Sequence, residues 1–198
     1  MKDLLTRIWK FYVKSSQYHE GIKYLLKLEE ILDPLQESKT LADIWYNIGI
    51  MYFKVRDCNN AINYLEKSLD LSSKLNYHAK EAGCYCNLGN ANLLLLNTPN
   101  AITFFRKALN IFWKINDKRG VANSYFNLGS SYLVQEKFEE STNFFQKGLV
   151  IFCQIGDVSG KQKTFHRLGE LCMKEEQYEK AIGYFEKALD VNKETLER

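Results

Sequence analysis

Asn47-Ile48-Gly49, Asn87-Leu88-Gly89, Asn127-Leu128-Gly129 and Arg167-Leu168-Gly169 recur at a fixed interval of forty residues. A strict period of this length means stacked supersecondary units, none of which can bury its apolar face alone. The unit can be read from its best-formed copy. Ala42, Trp45, Ile48, Gly49 and Tyr52 fall three and four residues apart, the spacing of an amphipathic helix. Arg56-Asp57-Cys58-Asn59 interrupts the pattern as a turn. Ala61, Ile62, Leu65, Leu69 and Leu71 set a second stripe that ends at Lys74-Leu75-Asn76. The unit is therefore helix, turn, helix.

Sliding the chain by forty residues places a degenerate first unit at 1–38, followed by units at 39–76, 77–116, 117–156 and 157–198, one array over 1–198. In the first, Tyr12 aligns with Tyr52 and Lys27 with Lys67, while Trp9 falls where the others carry glycine. Terminal repeats are expected to be atypical because one side faces water. Asp33-Pro34 should stop its second helix, since proline restricts the preceding residue and lacks an amide proton. In the third unit, Asn97-Thr98-Pro99 combines a capping residue with a proline tolerated in the first helical turn. Asn116-Asp117 and Gly156-Asp157 close one unit and cap the next. From Val191 to Arg198 the stripe dissolves into charge, which predicts a polar, fraying end.

Composition excludes several classes. A net charge of +3 is too small to mark a polyanion-binding surface by total charge, and 2 Pro, 11 Gly and 45% hydrophobic residues fit a helical globular chain. Cys58, Cys84, Cys86, Cys153 and Cys172 form no CxxC pair, and His19, His78 and His166 do not cluster with them. Neither a metal site nor a disulfide framework is expected, and thiols in a reducing compartment are. With no signal peptide and no long apolar run, a cytoplasmic chain without membrane contact is expected. No phosphate-binding glycine loop, zincin motif or nucleophile elbow occurs, and aromatics fall at packing columns rather than among basic residues. No catalytic residue, cofactor or nucleic-acid partner is predicted.

Ala42, Trp45, Gly49 and Tyr52, followed by Ala61, Leu65 and Ser68, closely resemble the tetratricopeptide repeat, whose pattern is W-x-x-L-G-x-x-Y and then A-x-x-x-F-x-x-A. Later units carry Gly89, Ala101, Phe105 and Ala108; then Gly129, Tyr132, Phe138 and Phe145; then Gly169, Tyr178, Ala181, Phe185 and Ala188. The resemblance covers nearly the whole chain and implies an all-α, right-handed α-solenoid of antiparallel helix pairs. Asn92 and Cys172 depart from it at an aromatic column, Ser141 and Gly148 at an alanine column. The period of forty exceeds the usual thirty-four, which adds about 9 Å of helix per unit if wholly helical. Units of forty residues are similar to those of the spindle-orientation adaptor that binds GoLoco-motif partners and of Rap-type peptide receptors.

The resemblance implies that the first helix of each pair lines the binding face. Arg7, Asn47, Asn87, Asn127 and Arg167 form one column on it, and the three asparagines could donate to and accept from an extended backbone. A similar ladder serves the repeats of O-GlcNAc transferase. Asn is a poor mid-helix residue, which favours a binding role over mere tolerance. Tyr46 and Phe126, Asn123, Asn90 and Lys54 fall in neighbouring columns. Across these columns Arg7, Lys10, Lys14, Lys54, Lys163, Arg167 and Lys174 outnumber Asp3, Asp43 and Glu170, pointing to an acidic protein or peptide partner. Asn90, Asn127, Lys163 and Arg167 match four positions of the co-chaperone carboxylate clamp, with Cys86 where that clamp has lysine. His166 beside Arg167 and Glu170 reads as a surface histidine. The expected function is a monomeric, non-enzymatic interaction scaffold. Alternatives are a peptide-sensing receptor domain that changes curvature, a carboxylate clamp, and a homotypic scaffold joined through Val191–Arg198.

Overall fold

The computed structural model describes residues 7–8, 11–32 and 38–196. Asp3, Trp9, Lys10 and the Asp33-Pro34 stop, which enter the expectations above, lie outside them. After a helical stretch at 11–14 come α1 (Tyr18–Ile31), α2 (Lys39–Lys54), α3 (Cys58–Lys74), α4 (His78–Leu94) and α5 (Thr98–Lys114). They are followed by α6 (Lys118–Val134), α7 (Phe138–Gln154), α8 (Val158–Lys174) and α9 (Tyr178–Leu196). Among the described residues there is no strand.

The turns explain the period. The helices α2 to α8 each end on a residue with left-handed backbone: Arg56, Leu96, Glu136 and Glu176 within repeats, Asn76, Asn116 and Gly156 between them. The next amide then reaches back five residues, as Asp57 does to Tyr52 at 3.0 Å and Asp117 to Phe112 at 3.0 Å, which satisfies carbonyls that the helix end leaves open. That same residue begins the next helix. Asp57, Asp117 and Asp157 accept from the amides of Asn60, Gly120 and Gly160 as N-caps. Helices of 17 residues joined by turns of three therefore fill the forty-residue interval.

The chain forms two compact units, Met1–Ile111 and Phe112–Arg198. In the first, Ile22, Leu25, Ile44, Ile48 and Met51 form a core that Tyr12, Tyr52 and Tyr64 close at its edge. In the second, Leu133, Phe145, Leu168 and Leu171 pack with Phe126, Phe165 and Tyr184. The glycine column lets the paired helices approach. A Cβ on Gly89 would sit 2.5 Å from the Phe105 ring, and one on Gly129 2.7 Å from the Phe145 ring. Polar residues in the alanine column are satisfied across the same joint: Ser68 donates to the Ala42 carbonyl and Ser141 to that of Gly129, each at 2.8 Å. Asn92, in an aromatic column, is buried and donates to the Leu88 carbonyl at 2.9 Å.

Candidate functional site

First helices pack on first helices within each unit, α2 on α4 and α6 on α8. The predicted binding residues therefore lie on two such faces, one per unit.

On the first unit's face the repeats bind each other. Tyr46 of α2 lies against Gly83 of α4, where an added Cβ would be 3.0 Å from the phenol oxygen. Asn87 Nδ2 donates to that oxygen at 3.0 Å and to the Gly83 carbonyl at 2.9 Å. Both protons of the Asn87 amide are thus engaged within the chain. Burial pushes the Tyr46 phenol above its ordinary value, the neighbouring Cys84 and Cys86 add to the rise, and the Asn87 bond partly offsets it.

Beside this joint, Lys80 Nζ lies 4.0 Å from the Tyr46 ring centroid and 2.8 Å from Asp43 Oδ1. The two charged side chains are only 17% and 15% exposed, so solvent screens the pair less than it does a surface pair. Lys39 lies 5.3 Å from the Tyr77 centroid on the same side. Asn47 and Asn90 are half-buried, and Lys54 is exposed at the end of α2. Lys80 escaped the sequence reading. The signal that points to it is the glycine at position 83, opposite Tyr46, which makes room for an inter-repeat contact.

The second unit's face is more open. Phe126 of α6 and Gln162, Lys163, His166, Arg167 and Glu170 of α8 line one depression of about 540 Å³. Phe126 is held by the core, its ring 5.6 Å from that of Phe145. Lys163 and Arg167 are exposed, one helical turn apart on α8. Arg167 Nη1 donates to Glu170 Oε2 at 2.6 Å, and His166 Nδ1 lies 3.5 Å from Glu170 Oε1. Arg167 is therefore drawn towards a carboxylate of the chain itself. Asn127 is half-buried, with its backbone carbonyl accepting from Ser131 at 2.8 Å, and Asn123 is exposed. Of the predicted residues, this depression gathers Phe126, Lys163 and Arg167; Asn123 and Asn127 share α6 with Phe126 but do not line it.

Among the described residues no group of His, Cys, Asp and Glu is arranged to hold a metal ion, and no helix is long and apolar enough to cross a membrane.

Helix pairs in register, tightened at a glycine column and closed by aromatics, define an all-α repeat protein of the α-solenoid class. Two tetratricopeptide repeat profiles match, one over residues 40–114 and the other over 162–195, together more than half of the chain, and the chain belongs to the tetratricopeptide repeat family. Solved structures share the fold at low identity. BtubC (BKLC) from P. vanneervenii is 17% identical over 98% of this chain and 80% of its own, with a TM-score of 0.83. The apo form of RapI is 18% identical over 96% of this chain and 69% of its own, with a TM-score of 0.85. The Rap conjugation gene regulator of plasmid pLS20, solved in complex with the Phr peptide, is 19% identical over 94% of this chain, with a TM-score of 0.79. The chain spans 52% of that regulator's length. No curated protein sequence is significantly similar to the chain.

Proposed function

We propose that this tetratricopeptide repeat protein is a non-enzymatic interaction scaffold that binds an acidic polypeptide segment on its first-helix faces, anchored in the second unit. The observation that carries the reading is the convergence of Phe126, Lys163 and Arg167, from two successive repeats, on one open depression. Phe126 offers an apolar seat, and Lys163 and Arg167 offer charge-assisted hydrogen bonds to carboxylates. A ligand carboxylate displaces Glu170 from Arg167, so the groove favours a segment with several acids over a single one. Backbone contacts come from Asn123 and Asn127 in this unit. In the first unit they come from Asn47 and Asn90, because the Asn87 amide already serves the chain. Family membership and the fold shared with a peptide-bound Rap regulator support a polypeptide ligand.

The test is fluorescence anisotropy with a labelled, capped peptide of Glu and Asp around one central Phe. Binding should weaken with salt. Arg167→Gln should lower affinity about tenfold, and Asn87→Ala should leave it within about twofold, since that amide already serves the chain. Salt-independent binding, or equal affinity in wild type and Arg167→Gln, refutes the reading.

A further inference from the structure

The turns inside the repeats share one backbone geometry, and one of them is chemically out of place. Arg56, Glu136 and Glu176 occupy the left-handed position with charged side chains, whereas Leu96 occupies it with a leucine at φ 58°. Its Cβ makes that backbone unfavourable, and at 83% exposure it gains nothing from packing. Leu94 and Leu95 beside it are 40% and 50% exposed. Folding does not call for a leucine at 96, and contiguous exposed apolar surface marks an interaction site. The patch also carries charge. Leu94 and Leu95 line a depression of about 370 Å³ with Arg56, Asp57, Cys58 and Asn59 of the preceding turn. Asp57 keeps its charge but is half-buried and held by the Asn60 amide at 3.1 Å and Asn60 Nδ2 at 2.7 Å, whereas Arg56 and Lys54 are exposed, two cations against one anion.

The second unit holds a surface of matching chemistry. Phe138, Glu139, Glu140 and Glu175 line a depression of about 710 Å³ whose other walls are Thr142, Asn143 and Gln146, with no cation among them. Val134, 59% exposed, opens the same turn. One surface is apolar and basic, the other apolar and acidic.

We infer that a second copy of this chain docks its leucine turn, Leu94–Leu96 with Arg56 and Lys54, on the depression formed by Phe138, Glu139, Glu140 and Glu175. The leucines cover Phe138 and Val134, and the cations face the three carboxylates. A net charge of only +3 opposes self-association weakly at long range. The contact joins two different surfaces, so a single copy carries both halves and each half can be disabled separately.

Sedimentation velocity over a wide concentration range tests this with two variants. In the turn variant, Leu96→Asn and Arg56→Glu use residue types already present at equivalent left-handed positions, Asn76 and Asn116 for the first and Glu136 and Glu176 for the second. In the depression variant, Glu139→Lys and Glu140→Lys reverse two exposed charges. Wild type should show an average mass that rises with concentration, with association weakened about tenfold by high salt. Each variant alone should stay monomeric, and an equimolar mixture should associate again through the one intact pair of surfaces. The inference is overturned if wild type is monomeric throughout, if either variant associates like wild type, or if the mixture stays monomeric. Matching thermal melts for all three chains show that folding is not the cause.

Discussion

Gly89→Ala and Gly183→Ala make the same chemical change in two helices and should act in opposite directions. At Gly89 the new carbon would lie 2.5, 2.7 and 2.8 Å from Cε1, Cζ and Cδ1 of Phe105. Comfortable carbon contacts are about 3.5–4.0 Å, so the ring must retreat by roughly 1 Å. Phe105 is fully buried and has nowhere to retreat without moving its neighbours. Overpacking of this kind costs about 1–3 kcal/mol, and the helical gain of alanine over glycine returns about 1 kcal/mol. The net is a loss of about 1 kcal/mol. At Gly183 nothing lies within 4 Å of the new carbon, so only the helical gain remains, about 0.5–1 kcal/mol. Thermal melts followed by circular dichroism resolve the difference, since about 1 kcal/mol moves Tm by roughly 2–4 °C in a chain of this size. Urea titration gives the free energies directly. Gly89→Ala melting at or above Gly183→Ala would refute the claim that the glycine column sets helix approach.

Two further outcomes follow from the buried groups of the first unit. The unfolded chain ionises Tyr46 near its ordinary value of about 10, while burial holds the folded phenol protonated to higher pH. Its contribution is therefore intact below pH ~10 and lost as pH rises beyond it. Tyr46→Phe should cost about 1 kcal/mol at neutral pH through the lost Asn87 bond. It should also lose less stability than wild type between pH ~8 and ~11, as denaturation at the two values would show. Burial likewise pushes the Cys84 thiol up to about 11, whereas Cys153 is exposed. A thiol reagent at mildly alkaline pH should label Cys153 at once and Cys84 only on unfolding, read by mass spectrometry of the digested chain.

The helices and turns were legible because they are written locally and repeatedly. Gly49, Gly89, Gly129 and Gly169 mark the close approach, and the Asn116-Asp117 and Gly156-Asp157 pairs spell a left-handed stop followed by a cap. Alignment by forty residues also put Phe126, Lys163 and Arg167 on the first-helix face. What it could not show is which polar groups the fold consumes. Asn87 and Asn127 occupy the same column, yet only Asn87 meets a tyrosine from the repeat before it. The reason lies in two other columns, where Gly83 opens space and Tyr46 fills it. Lys80 and Asp43 belong to different repeats, and their pairing depends on how α2 packs on α4 rather than on spacing along either helix. Glu170 stood in its column as one acid among many cations, and its contact with Arg167 makes it the competitor that a ligand has to displace. Leu96 stands just before the Asn97-Thr98-Pro99 turn in the sequence; its cost emerges only with its left-handed backbone and its exposure.

The most direct test of the binding account is a titration of isotope-labelled protein with the same acidic peptide, followed by backbone and side-chain chemical shifts. The account predicts saturable shifts at Phe126, Lys163, His166 and Arg167, with the Tyr46, Lys80 and Asn87 side-chain signals unmoved because those groups already serve the chain. Saturable shifts confined to Tyr46, Lys80 and Asn87, or shifts spread evenly over the surface lysines, would contradict it.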